Sequence, residues 1–138
     1  MKRFGVIVLV LSTLLCTALT GCSKSNDISV INDAIPETIT SIEVSGFHGG
    51  SELKPWELTQ EEIEELNVWL PELSLEHRTY AKDEAPNEVW NGETSYGFNV
   101  NDGEMSFTWV HIDKAYIQYD SEWYEIINTS TPPLDLAG

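Results

Sequence analysis

Hydrophobic and polar residues alternate in several short stretches of the chain, and such alternation is typical of half-buried β-strands. Six stretches are predicted as strands on this pattern: 38–44, 75–80, 94–100, 105–110, 115–119 and 123–127. Asn101-Asp102-Gly103-Glu104 connects the third and fourth stretches, and its composition is typical of a hairpin turn. Asp120-Ser121 lies between the last two stretches, which predicts a second hairpin.

One segment has helical periodicity instead. Thr59 and Glu62 have the spacing of a capping box, in which the two residues bond reciprocally at a helix start. Pro71 discourages continuation of a helix, so the predicted helix runs from Gln60 to Leu70. Its apolar positions fall on one face: Ile63, Leu66, Trp69 and Leu70.

These elements predict an α+β fold, with an antiparallel meander of about five to six strands and one amphipathic helix packed on one face. Of the 14 aromatic residues, 13 lie within 47–124, where they are expected to supply much of a core. We predict a single domain over 36–128. Residues 22–35 are polar and read as a flexible tether, and 129–138 as a C-terminal tail.

The first 22 residues have a different character. Lys2 and Arg3 precede an apolar run that ends in Leu19-Thr20-Gly21-Cys22, with no acidic residue before Asp27. This segment resembles the signal peptide and lipobox of bacterial lipoproteins. The resemblance implies that residues 1–21 are removed and that Cys22 carries acyl chains such as palmitate, which hold the protein on the outer face of a membrane. An uncleaved transmembrane helix is the alternative, but about 16 apolar residues fall short of the roughly 20 that a spanning helix needs.

Lipidation changes both the cysteine content and the charge. The chain has two cysteines, Cys16 and Cys22, so the mature protein would have no free thiol, no disulfide and no cysteine metal site. The formal charge of the whole chain is −16. Loss of Lys2 and Arg3 leaves 5 basic against 23 acidic residues, a charge of −18. Such a charge argues against nucleic acid as a partner and favours a basic protein or peptide.

Two groups of residues are candidates for partner binding. Glu57, Glu61 and Glu65 follow one another at intervals of four, and like charges at this spacing destabilise a helix slightly. They form either a solvated face or a site for a basic partner or a divalent cation. The second candidate is aromatic, and its side chains either present a recognition surface or pack within the sheet. It comprises Tyr116, Tyr119 and Trp123.

Catalytic and metal motifs are weak in this sequence. His48, His77 and His111 share no short spacing of the kind that zinc ligands show, so we predict no metal, no cofactor and no catalytic residue. The expected function is a lipid-anchored, non-enzymatic binding module for a basic partner. One form of it resembles the lipoproteins that protect producer cells from their own cationic antimicrobial peptides. The alternatives are an accessory cell-wall enzyme that uses dispersed carboxylates and a structural subunit of an envelope complex.

Overall fold

The computed structural model describes residues 26–81, 84–86, 94–128 and 130–135. They form seven strands, two α-helices and two short 3₁₀ helices. One 3₁₀ helix, Leu70–Glu72, directly follows the second α-helix, and the other, Asn101–Gly103, lies between the fourth and fifth strands. The elements in chain order are α1 (Ile28–Asn32), β1 (Ile42–His48), β2 (Ser51–Glu57), α2 (Gln60–Trp69), β3 (Leu75–Arg78), β4 (Thr94–Val100), β5 (Met105–His111), β6 (Ala115–Tyr119) and β7 (Glu122–Ile126).

The strands form one antiparallel sheet in the order β2-β1-β4-β5-β6-β7-β3. The predicted α+β class is therefore confirmed, and β4 to β7 form the expected meander. The sheet has one strand more than expected, because residues 51–57 form β2, which the sequence pattern did not indicate. The first strand also begins later than predicted, at Ile42.

The main core lies between one face of the sheet and the two helices. Alternate residues of the central strands point into it, and the rings of Phe98 and Phe107 stack there with centroids 4.6 Å apart. Ile63, Leu66 and Trp69 of α2 pack into the same core. Apolar residues recur at every second position on the strands and at every third or fourth position on the helix. Both sets of side chains are therefore buried in the same core.

Helix α2 begins as predicted. The Thr59 side chain accepts a hydrogen bond from the backbone of Glu62 (3.3 Å), and the Glu62 carboxylate accepts one from the backbone of Thr59 (2.8 Å). Pro71 does not stop the chain from turning, because the next residues continue for one 3₁₀ turn. This turn brings Leu73 into the core.

The segments before and after the predicted domain also contact it. Helix α1 lies within the segment predicted as a tether, and its Ile31 is fully buried in the main core. After β7, Pro132 is buried and Leu134 packs against the same core. The described parts of both segments are therefore folded against the sheet and the helices.

The turn between β4 and β5 ties the chain before β1 to the sheet. The Asn101 side chain accepts a hydrogen bond from the backbone of Thr40 (2.8 Å) and donates one to the carbonyl of Thr38 (2.8 Å). Asn101 and Asp102 have positive φ angles of 50° and 54°, which Asn and Asp tolerate better than other side chains do. The predicted hairpin is thus confirmed, and residues 38–41 bind its turn instead of extending the first strand.

Candidate functional site

A groove of about 590 Å³ lies between α2 and the C-terminal segment 130–135. We call it the acidic groove. Its lining residues are Glu61, Glu64, Glu65, Val68, Trp69, Glu72 and Pro133. Every charged residue among them is a glutamate.

One wall of the acidic groove is the outer surface of α2. The buried residues Ile63 and Leu66 fix the rotation of the helix, so the residues between them face away from the core. Glu61, Glu65 and Val68 therefore follow one another along one exposed stripe, since residues three or four apart are neighbours on a helix. The stripe continues past the helix end to the 3₁₀ helix.

The other wall is the C-terminal segment, which Trp69 holds in place. Its indole Nε1–H donates a hydrogen bond of 2.7 Å to the hydroxyl of Ser130. Pro133, three residues further along this segment, lines the groove together with the helix residues. Val68, Trp69 and Pro133 therefore give the groove an apolar part beside its glutamates.

The side chains that line the acidic groove slightly destabilise the isolated protein. Glu61 repels Glu65 at a spacing of four residues and Glu64 at a spacing of three, which costs a few tenths of a kcal/mol for each pair. Val68 leaves 63% of its surface exposed in the middle of these charges. A cation with an apolar side would relieve both conditions, because it would neutralise the carboxylates and cover the valine.

The predicted glutamates divide between two places. Glu61 and Glu65 line the acidic groove, whereas Glu57 is the last residue of β2, where it lies opposite Glu43. The sequence did not single out Val68 or Glu72 as site residues. The 3.6-residue period of the helix places Val68 on its exposed face, and this position is the signal that could have identified Val68 as a site residue.

The predicted aromatic residues also separate, because β6 alternates between the two faces of the sheet. Tyr119 packs against the main core. Tyr116 and Trp123 lie on the opposite face in a small second cluster with Val110 and are only 9% and 6% exposed. Tyr80 covers this cluster with edge-to-face contacts to both rings. We leave Tyr116 and Trp123 out of the candidate site because their rings are buried.

An ion-pair network borders the second cluster. The Glu125 carboxylate, whose side chain is 12% exposed, contacts Arg78 at 2.8 Å and Lys114 at 3.0 Å. Burial alone would raise the pKa of Glu125, but the hydrogen bonds and charges of Lys114 and Arg78 together lower it below its ordinary value. The network joins β3, β7 and the turn before β6 and therefore stabilises this face of the sheet.

Alkaline pH is expected to destabilise the fold through Tyr116. Burial, then the nearby Tyr80 and Asp113, raises the pKa of Tyr116 from 10.0 to about 12. The folded state therefore keeps a proton that the unfolded state releases between these values, and stability falls as pH rises through this window, by up to about 3 kcal/mol. Urea unfolding followed at several alkaline pH values measures this loss. Tyr116→Phe should lose less stability over the window, and an unchanged pH dependence would contradict the assignment.

The three histidines lie in separate places. The Nδ1 atom of His48 is 3.1 Å from the Tyr96 hydroxyl, His77 pairs with Glu122 at 2.7 Å, and His111 stacks on Trp109. Within the described part of the chain, no group of three or more His, Cys, Asp or Glu side chains is arranged to hold a metal ion.

The predicted lipid-attachment residue, Cys22, lies outside the described residues, as does the apolar run before it. Among the helices that the structure describes, none has the length and apolar character needed to cross a bilayer.

No family model matches this chain, and comparisons with the curated proteins and with the solved structures found no similar protein.

Proposed function

We propose that the protein is a lipid-anchored, extracytoplasmic binding module whose acidic groove takes a basic, amphipathic peptide or a basic segment of a partner protein. The observation that carries the proposal is the composition of the groove, with four carboxylates beside an exposed valine and a tryptophan. The lipobox Leu19-Thr20-Gly21-Cys22 supports the anchored location. The acidic excess of the whole chain supports the sign of the partner's charge.

The groove suits an amphipathic helix or an extended segment with lysine or arginine on one side and apolar residues on the other. The basic side would meet Glu61, Glu64, Glu65 and Glu72 at the rim, and the apolar side would cover Val68. Apolar burial supplies affinity, and the charges give specificity and a fast encounter.

The lining favours binding over catalysis. Its polar groups are carboxylates and one indole N–H, and that N–H already donates to Ser130. General acid–base chemistry on a neutral substrate also needs groups that orient the substrate and stabilise developing negative charge. A row of carboxylates beside apolar side chains fits recognition of a cation better, so we propose a non-enzymatic role.

The test compares two variants with the same net charge. In the first, the four groove glutamates become glutamine. In the second, four exposed glutamates elsewhere become glutamine: Glu37, Glu43, Glu52 and Glu57. The protein without residues 1–21 is titrated at low salt with a helical peptide of lysine and leucine, and the dissociation constant is measured by calorimetry.

We expect the groove variant to bind the peptide at least about tenfold more weakly than the unchanged protein, a loss of about 1.4 kcal/mol. The control variant should change the affinity less than about threefold, and a glutamate–leucine peptide of equal length should not bind. Equal weakening in both variants would show that overall charge, and not the groove, attracts the peptide. Val68→Lys provides a single-residue check, because it places a cation among the groove glutamates at an exposed helical position that tolerates lysine.

A further inference from the structure

The first described residues are fastened to the edge of the sheet. Strand β3 is an edge strand, and the amides of its Leu75 and His77 are occupied by the segment before α1. Leu75 N–H donates to the Asn26 side chain (2.9 Å), and His77 N–H donates to the Asp27 carboxylate (2.9 Å). The backbone N–H of Asp27 in turn donates to the Leu75 carbonyl (3.1 Å). We call this arrangement the edge clamp.

Two further contacts hold the edge clamp in position. The Asn26 side chain donates to the carbonyl of Leu73 at 3.2 Å. Helix α1 follows directly, and its Ile31 has no exposed surface. The chain from Asn26 onward is therefore part of the domain and moves with it.

The edge clamp leaves little chain between the domain and the proposed lipid. Asn26 is four residues after Cys22, so the two Cα atoms lie at most about 14 Å apart even if this chain is fully extended. A seven-stranded sheet spans about 29 Å between its edge strands, given a strand spacing of about 4.8 Å. The largest possible distance between Cys22 and Asn26 is therefore about half the width of the sheet.

We infer that the domain is held against the membrane in one orientation, with the β3 edge and α1 toward the lipid and the β1–β2 hairpin away from it. This inference rests on the proposed lipidation of Cys22. A long flexible tether would let any side of the domain face the membrane, but a link of at most about 14 Å keeps the β3 edge beside it.

The surface around the edge clamp suits contact with a lipid interface. Val30 on α1 and Ile127 after β7 are 46% and 44% exposed. Both lie near the start of β3, since Ile127 N–H donates to the Ser74 carbonyl and α1 follows the clamp. Apolar side chains at such positions enter the boundary between headgroups and acyl chains. The partner of this surface is therefore the lipid bilayer itself.

The inferred orientation also determines where the acidic groove lies relative to the membrane. Glu72, at one end of the groove, precedes Leu73, whose carbonyl binds Asn26. That end of the groove therefore opens near the membrane surface. Cationic amphipathic peptides concentrate at anionic membranes, so the groove would meet them where they accumulate.

Single introduced cysteines test the orientation, since a lipidated mature chain has no other free thiol. Val30→Cys and Ile127→Cys report on the proximal surface. Ser51→Cys and Lys54→Cys report on β2, at the opposite edge, and all four positions are exposed. Each lipoprotein is purified from cells that process the full precursor, labelled with a fluorophore and reconstituted into phosphatidylcholine vesicles that contain a lipid with a quencher on its headgroup.

We expect the two proximal labels to be quenched several-fold more than the two β2 labels. Insertion of about 12 glycine and serine residues after Ser25 adds roughly 19 Å of flexible reach and should remove most of this difference. Equal quenching at all four positions in the native-length protein would overturn the orientation while leaving the lipid anchor intact. Protein that does not sediment with the vesicles would overturn the anchor, and the orientation with it, but not the peptide-binding role of the groove.

Discussion

Replacing Gly46 by alanine is expected to lower the free energy of unfolding by about 3 kcal/mol or more. Gly46 lies in β1 with φ of +150°, a conformation that residues with a Cβ rarely adopt. A Cβ atom at this position would lie 2.0 Å from the carbonyl oxygen of Ser95 and 2.9 Å from its carbonyl carbon. Because both atoms belong to the backbone of β4, the clash is relieved only by separating β1 from β4.

The matched control is Gly97→Ala on β4. A Cβ atom there would make ordinary contacts, the nearest being the Ser45 hydroxyl oxygen at 3.5 Å. We expect this variant to lie within about 0.5 kcal/mol of the unchanged protein. Urea unfolding followed by tryptophan fluorescence gives the midpoint and slope for each variant. If Gly46→Ala unfolds at the same urea concentration as Gly97→Ala, the close approach of β1 to β4 is not as described.

The same region explains why the sequence did not indicate β2. Between Val44 and Gly46 the register with β2 shifts, so that two residues of β2, Lys54 and Pro55, lie opposite one residue of β1. The extra residue breaks the alternation of Leu53 with Trp56, which is the pattern that would have signalled a strand. Proline is accepted because β2 is an edge strand. The β4–β5 hairpin and α2 were predictable because local residues determine them.

The N-terminal segment was difficult to predict for another reason. Helix α1 has only five residues, and a single one of them, Ile31, is buried. Such a short helix is not stable alone, so its structure depends on packing against distant residues. The edge clamp also depends on strand β3, about 50 residues later in the chain. No local pattern reports contacts of this kind.

The acidic groove was predictable in part. The helical period places Glu61 and Glu65 on one exposed face, and both line the groove. The second wall depends on where the chain passes after β7, and contacts between residues far apart in the chain, such as the bond from Trp69 to Ser130, hold it there. Periodicity therefore identifies the carboxylates, whereas the concave shape requires the tertiary structure.

The second large effect is expected for Ile31→Ala, which should lower the free energy of unfolding by about 2–5 kcal/mol if α1 unfolds together with the sheet. Ile31 has no exposed surface and packs in the main core, so alanine leaves a cavity between α1 and the rest of the domain. The energy gained by burying this side chain also holds the edge clamp in place. We therefore expect a protease to cut faster near α1 in this variant.

Val30→Ala is the matched control, because Val30 is the adjacent residue on the same helix and is 46% exposed. Alanine favours helices slightly more than valine does, so the stability should change by less than about 0.5 kcal/mol. Urea unfolding and timed proteolysis together separate two outcomes. A lower unfolding midpoint for Ile31→Ala shows that α1 belongs to the cooperative unit, whereas faster cleavage at an unchanged midpoint shows that α1 opens by itself. If Ile31→Ala matches Val30→Ala in both measurements, residues 26–31 are not fastened to the domain, and the proposed lipid anchor at Cys22 would let the domain turn freely on a longer tether.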